Sequence, residues 1–162
     1  MSNAAGLAER VGNNSNRLSS IGEASSDLSF PCNSNIPPAI PNGDQYEVGF
    51  LRAEEAHQYG RHKMYLWFQL TTPGEWYGES FFITCNIALK GKWGPSSKFW
   101  LTWVLAAGRR PKRADRMSTA VFKNKIFRVR MRKVLKTSKQ IDRTPAQQYS
   151  VVDELLEVLV GQ

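Results

Sequence analysis

Arg128, Arg130 and Arg132 stand two residues apart, with Val129 and Met131 between them. On an extended strand this spacing projects three guanidinium groups from one face, along about 13 Å. The planar fork of donors on each suits phosphate oxygens. Arg109, Arg110, Lys112, Arg113 and Arg116 add five cations within eight residues, and Lys123 and Lys125 lead into the Arg row. Lys90 and Lys92 bracket Gly91 and run into Trp93, an aromatic bordered by glycines. Cations that follow phosphates, joined to aromatic faces on which bases stack, are the means by which a single strand is held without its sequence being read. Tyr59 and Tyr77, each beside a turn, are the further stacking candidates; Trp93 fits a core-capping role equally well.

The charge distribution sharpens this reading. The 162 residues carry 22 Lys and Arg against 14 Asp and Glu, a net charge of +8. Residues 90–143 alone hold seventeen basic side chains and two acids, Asp115 and Asp142, inside an otherwise mildly acidic chain. So strong a field of one sign calls for a polyanion or anionic surface, whereas a merely solubilising face mixes signs. The Arg109–Arg116 loop also resembles a nuclear localisation signal. Other chemistries lack their residues. Carboxylates form no Mg²⁺-holding motif, and there is neither a Walker loop nor a Rossmann glycine pattern. His57 and His62 fall in a polar stretch with no cysteine pair nearby, so no metal site is expected. Cys85, in an aromatic strand, is expected to be an inert buried thiol. No catalytic residue and no cofactor are expected.

The elements that must position these groups begin after residue 44. Residues 1–44 are 23 parts in 44 Ser, Asn, Gly or Pro, too few apolar groups to offset the entropy of folding, so a disordered tail is expected there, with the domain at 45–162. Tyr46, Val48 and Phe50 alternate as a first strand, and Glu54–His62 is a polar connection. Lys63–Thr71 reads as a second strand buried on both faces, and Trp76–Asn86 as a third, paired with it in a hairpin. Ser96 or Ser97 stands where an N-cap belongs, before a largely buried helix from about Lys98 to Ala107 that stops at Gly108. Ile126–Leu135 is the fourth strand. Tyr149–Val151 suits a short closing strand, while Ser150 and Asp153 form a capping box that would open a short C-terminal helix through Leu155, Leu156 and Leu159; the two assignments compete.

Three strands, a helix, a strand and a short strand is the order of the OB-fold, and a small barrel accounts for 17 of 18 aromatic residues lying after residue 44. The expected fold is therefore mainly β: a five-stranded OB-type barrel with one helix between strands three and four. The alternative is another small β-rich barrel, or a sheet with one helix packed on it. Tyr46–Val134 also resembles the OB-type single-stranded-DNA-binding proteins of bacteriophages and other mobile elements. The resemblance rests on Tyr46-Glu47-Val48, on Lys63–Leu70, on Gly74-Glu75-Trp76-Tyr77-Gly78, on the aromatic helix, and on Phe122 to Val129, with Asn124 where the pattern prefers Gly. It implies a non-enzymatic protein that handles single strands in replication or recombination, DNA in preference to RNA. The acidic C-terminal helix would then dock replication or recombination partners, or else fold back onto the barrel. No membrane partner is expected, since the longest apolar stretch is far too short to span a bilayer. Two cysteines and no secretory pattern suggest a reduced, cytoplasmic setting, at the nucleoid or in the nucleus according to the host. The rival from another class is an adaptor whose basic face meets an acidic protein; an RNA-binding OB protein is the other.

Overall fold

In a computed structural model of the chain, residues 36–58, 60–87, 93–113 and 115–161 are described. The expected disorder of residues 1–35 lies outside them, as do candidate residues Tyr59, Lys90 and Lys92.

The described part is mainly β. Strands β1 (Gly43–Gln58), β2 (Arg61–Leu70), β3 (Ser80–Asn86), β4 (Ile126–Val134) and β5 (Tyr149–Val160) form one antiparallel sheet in the order β3-β2-β1-β4-β5. Helix α1 (Lys98–Ala107) falls between β3 and β4 in sequence. The alternation of β2 sets the pattern: Met64, Leu66, Phe68 and Leu70 enter the core, while Lys63, Tyr65, Trp67 and Gln69 occupy the opposite face. That second face is half-open, not buried as expected: Tyr65 is half-buried and Gln69 exposed. No strand-to-strand pairing joins β3 to β5, although Phe82 of β3 and Tyr149 of β5 bring their rings to 6.3 Å.

The helix has the expected bounds. Ser97 caps it by accepting from the Trp100 N–H at 3.2 Å, and Gly108, at φ 65°, ends it by donating its N–H to the Val104 carbonyl. It is amphipathic, not buried all round: Phe99, Thr102, Trp103 and Ala106 face inward, whereas Leu101 is 59% exposed. A 3₁₀ turn, Thr119–Phe122, then drives Phe122 into the middle of the core. Asn124, at φ 58°, takes the left-handed turn before β4. Asparagine tolerates that conformation better than most residues, which is why it can stand where glycine is preferred.

Four expectations need correction. Glu54–His62 is no connection: β1 continues through it and pairs with β2 down to Gln58 opposite Arg61, reversing at Gly60 with φ 70°. This projecting hairpin has little apolar cover, so no hydrophobic period marked it. The third strand starts at Ser80; Trp76–Gly78 form the preceding turn, with Gly78 at φ 85°. The C-terminal helix does not exist, because Tyr149–Val160 is a single strand. Its inward residues Val152, Leu155 and Val158 lie three apart, opposite Met131, Val129 and Phe127, which lie two apart, and the register shifts between Phe127 and Met131 absorb the difference. Extra residues bulged into β5 thus imitate helical spacing. Finally, the packed unit starts before Asp44: Ile40 is wholly buried and belongs to the core. No helix among the described residues is long and apolar enough to cross a membrane.

Ser150 fastens this leading segment. Its buried hydroxyl accepts from the Ile40 N–H at 2.9 Å and donates to the Ile40 carbonyl at 3.1 Å, while the Ser150 N–H donates to the Pro38 carbonyl. Ser150→Ala leaves two buried backbone groups unpaired and is expected to lower stability by about 1–3 kcal/mol. The measurement is the midpoint of urea unfolding, and an unchanged midpoint would show that the clasp contributes nothing.

Candidate nucleic-acid interface

The Arg row is real in geometry and changed in meaning. Phe127, Val129 and Met131 point into the core, so Arg128, Arg130 and Arg132 share the outer face of β4. Across from them β5 presents acids. Arg128 pairs with Glu157 at 2.6 Å and Arg132 with Asp153 at 2.9 Å, while Arg130 binds Glu154 and also reaches Asp44 at 2.7 Å. The acids expected on a partner-docking helix are therefore the fixed counter-charges of the row. A phosphate arriving there must displace carboxylates held on the adjoining strand, and each guanidinium is already engaged.

The other predicted cations separate. Lys125 is turned to the end of α1, where its Nζ donates to the Ala106 carbonyl at 2.5 Å, and Lys123 is exposed. Arg113 is held by both oxygens of Asp115 at 3.0 and 2.7 Å. Arg109, Arg110, Lys112 and Arg116 are exposed and form no ion pair among the described residues. Trp93 lies on Phe99, ring centroids 4.3 Å apart, and packs against the core; Tyr77 is 67% exposed on the turn between β2 and β3.

The structure brings together a group that the sequence did not single out. On the outer face of β1, β2 and β3, Phe82 meets Tyr65 edge-to-face at 5.2 Å and Trp67 at 5.0 Å, and Tyr149 adjoins at the seam. Edge-to-face contact lets each ring support its neighbour. Tyr65, Phe82 and Tyr149 are half-buried. Trp67 is 7% exposed yet lies outside the core; it is roofed by the Arg52 guanidinium, 4.9 Å above its ring, and donates its indole N–H to Glu54 at 3.1 Å. Arg52 and Glu54 also pair at 2.5 Å, and the hydrogen bond from Arg52 holds the Glu54 carboxyl below its usual range. Burial, and secondarily the nearby Tyr149, push the Tyr65 phenol up, which keeps it neutral. Arg143, in the loop between β4 and β5, covers Tyr149 at 5.2 Å, and Lys63 shares the outer face of β2. The available signal was the period of two in Tyr65-Trp67 and in Phe82 against Phe81 and Ile83, which allots these rings to the face away from the core.

His57 and His62 are cross-strand neighbours on the β1–β2 hairpin, their rings stacked at 4.1 Å, with His62 bonded to Glu55 at 2.9 Å. Cys85 is 1% exposed, and burial pushes its thiol up to about 12, so it is not poised as a nucleophile. Comparison with family models, curated proteins and solved structures finds no match for the chain.

The ladder gives a test by pH. The hydrogen bond from Arg130 lowers the Asp44 pKa, so the folded state favours the ionised form. Its contribution is complete above the unfolded aspartate value and disappears as pH falls through the lower folded value. The stability difference between the native chain and Arg130→Gln should therefore shrink as pH is lowered from about 5 towards 2. Urea midpoints measured across that range check this, and a difference independent of pH would exclude the pair as its source.

Proposed function

We propose that the chain is a sequence-tolerant, non-enzymatic binder of single-stranded nucleic acid, with DNA the first substrate to test, and that the strand lies on the outer face of β1, β2 and β3. The observation that carries this reading is the run of half-buried rings Tyr65, Phe82 and Tyr149, edged by Lys63 and Arg143. Every base has a π-face, so such a platform accepts any sequence while the cations follow the backbone. We read the sheet as a partly open barrel of OB type with its seam between β3 and β5. In that fold the face of strands two and three, flanked by the loops joining β1 to β2 and β4 to β5, is where oligonucleotides lie. On that reading the platform and Arg143 fall at those places. A binding role without catalysis also accords with Asp44, Glu54, Asp115, Asp153, Glu154 and Glu157, whose carboxylates are all held by arginines.

Fluorescence anisotropy with a labelled oligothymidine, its RNA counterpart and a duplex tests the reading. The native chain should bind the single strand in preference to the duplex. Tyr65→Ala with Phe82→Ala should raise Kd at least about tenfold, since base stacking is worth 1–3 kcal/mol per base. Phe82→Trp, which keeps a stacking face, should retain affinity. Arg143→Ala should reduce the slope of log K against log salt by about 0.7 if it neutralises one phosphate. Undiminished binding by the double alanine variant, or no binding by the native chain, overturns the proposal.

A further inference from the structure

A second basic site lies beyond the end of α1. Trp103, Arg109, Pro111, Lys112, Arg113 and Arg116 line a hollow of about 280 Å³. Its back wall is fixed: the Trp103 indole N–H donates to the Ser118 carbonyl at 3.0 Å, and the Arg109 guanidinium lies over the Trp103 ring at 5.7 Å. Pro111 restricts the chain between Arg110 and Lys112. The Arg116 N–H closes a turn onto the Arg113 carbonyl, which brings those two residues of the lining together.

Cations gathered after a helix commonly serve to complement its negative end. Here other groups fill that role, because Lys125 Nζ binds the Ala106 carbonyl and the Gly108 N–H binds that of Val104. Asp115 grips the Arg113 fork with both oxygens, and its single negative charge stands against four cations, Arg109, Lys112, Arg113 and Arg116. Arg109, Lys112 and Arg116 therefore face the hollow with net positive charge and form no ion pair among the described residues. A hollow lined by several cations concentrates the field and favours an anion with several acceptor oxygens. The size suits a phosphate or pyrophosphate group with its waters, at about 30 Å³ per water.

We infer that this hollow is a phosphate-binding site, with Arg109, Lys112 and Arg116 as its donors and the Trp103 ring as the support that holds Arg109 in place. The phosphate belongs either to the backbone of a bound strand or to a free phosphate compound. The inference does not rest on strand binding by the aromatic face.

The probe is pyrophosphate, titrated calorimetrically into the full chain. The native protein should bind it, and Arg109→Gln with Arg116→Gln should raise Kd about tenfold or more, as expected for loss of charge-assisted hydrogen bonds. Lys98→Gln with Lys139→Gln removes the same charge from exposed positions elsewhere and should leave Kd unchanged. Both variants alter exposed side chains, and matched thermal melts check that the fold is kept. No binding by the native chain, equal loss in both variants, or no loss in the first overturns the inference. A parallel oligothymidine titration separates the sources. If the Arg109/Arg116 variant loses oligonucleotide affinity together with pyrophosphate, the site takes backbone phosphate; if it loses only pyrophosphate, the site takes a free phosphate compound. Tyr65→Ala with Phe82→Ala should leave pyrophosphate binding intact, so this site and the aromatic platform stand or fall separately.

Discussion

Phe122 occupies the point on which the fold closes. Its ring lies 5.6 Å from Phe50, 6.4 Å from Phe68, 6.4 Å from Phe99 and 6.2 Å from Phe127, so one residue of a short 3₁₀ turn touches β1, β2, the helix and β4. A single curved sheet has no second sheet to cover its inner face, and the side chains that fill it must come from its own strands and one helix. With Phe68, Phe81, Phe99, Phe122 and Phe127 all fully buried, that inner volume is filled without Tyr65, Trp67, Phe82 or Tyr149. Those rings sit on the outer face, Trp67 covered by Arg52 and the other three half-buried, and none of them is needed to fill the core. A partly exposed aromatic cluster beside cations is the surface on which the proposed binding rests.

The pairing of β4 with β5 solves two problems with one irregularity. Residues of β4 alternate with period two, while β5 advances three residues for each inward position, so its bulges keep Val152, Leu155 and Val158 on the core. The same stagger sets Glu157 opposite Arg128 and Glu154 opposite Arg130. A regular β5 would carry those acids out of phase with the arginines after a single step. The bulges thus maintain the hydrophobic seam and the charge ladder together. Exposed pairs of this kind add little to stability one at a time. Their larger effect is electrostatic: they cancel much of the field that the arginines would otherwise project.

What could be read from the sequence follows from which elements obey a single period and which do not. Helix α1 was legible because Ser97 and Gly108 mark its ends by local chemistry alone, and β2 because Met64, Leu66, Phe68 and Leu70 alternate strictly. Strand β5 was not, since bulges gave it the spacing of a helix, and its Ser150, which looked like a helix cap, instead clasps Ile40 from 110 residues away. The partners of the Arg row were equally hidden: acids 21 to 29 residues along the chain, and Asp44 further still, are placed by strand register and not by local spacing. The aromatic face was half legible. The alternation told which rings leave the core, but only the approach of β3 to β5 adds Tyr149, and with it Arg143, to the group.

The division of the cations changes how the net charge should be understood. Affinity gained by counterion release depends on cations, or on phosphates, surrendering mobile ions when they meet. Arg128, Arg130 and Arg132 hold carboxylates that are part of the same sheet, and an exchange of carboxylate for phosphate there releases little to the solvent. Lys125, committed to a helix carbonyl, is similarly placed. If the chain binds a polyanion, the salt-sensitive part of that affinity comes from cations outside the ladder, among them Arg109, Arg110, Lys112 and Arg116 after the helix and Lys63 and Arg143 beside the rings. Of the seventeen basic residues between positions 90 and 143, Arg113, Lys125, Arg128, Arg130, Arg132 and Lys136 are already committed to groups of the chain itself, and the fold decides which others remain to meet a polyanion.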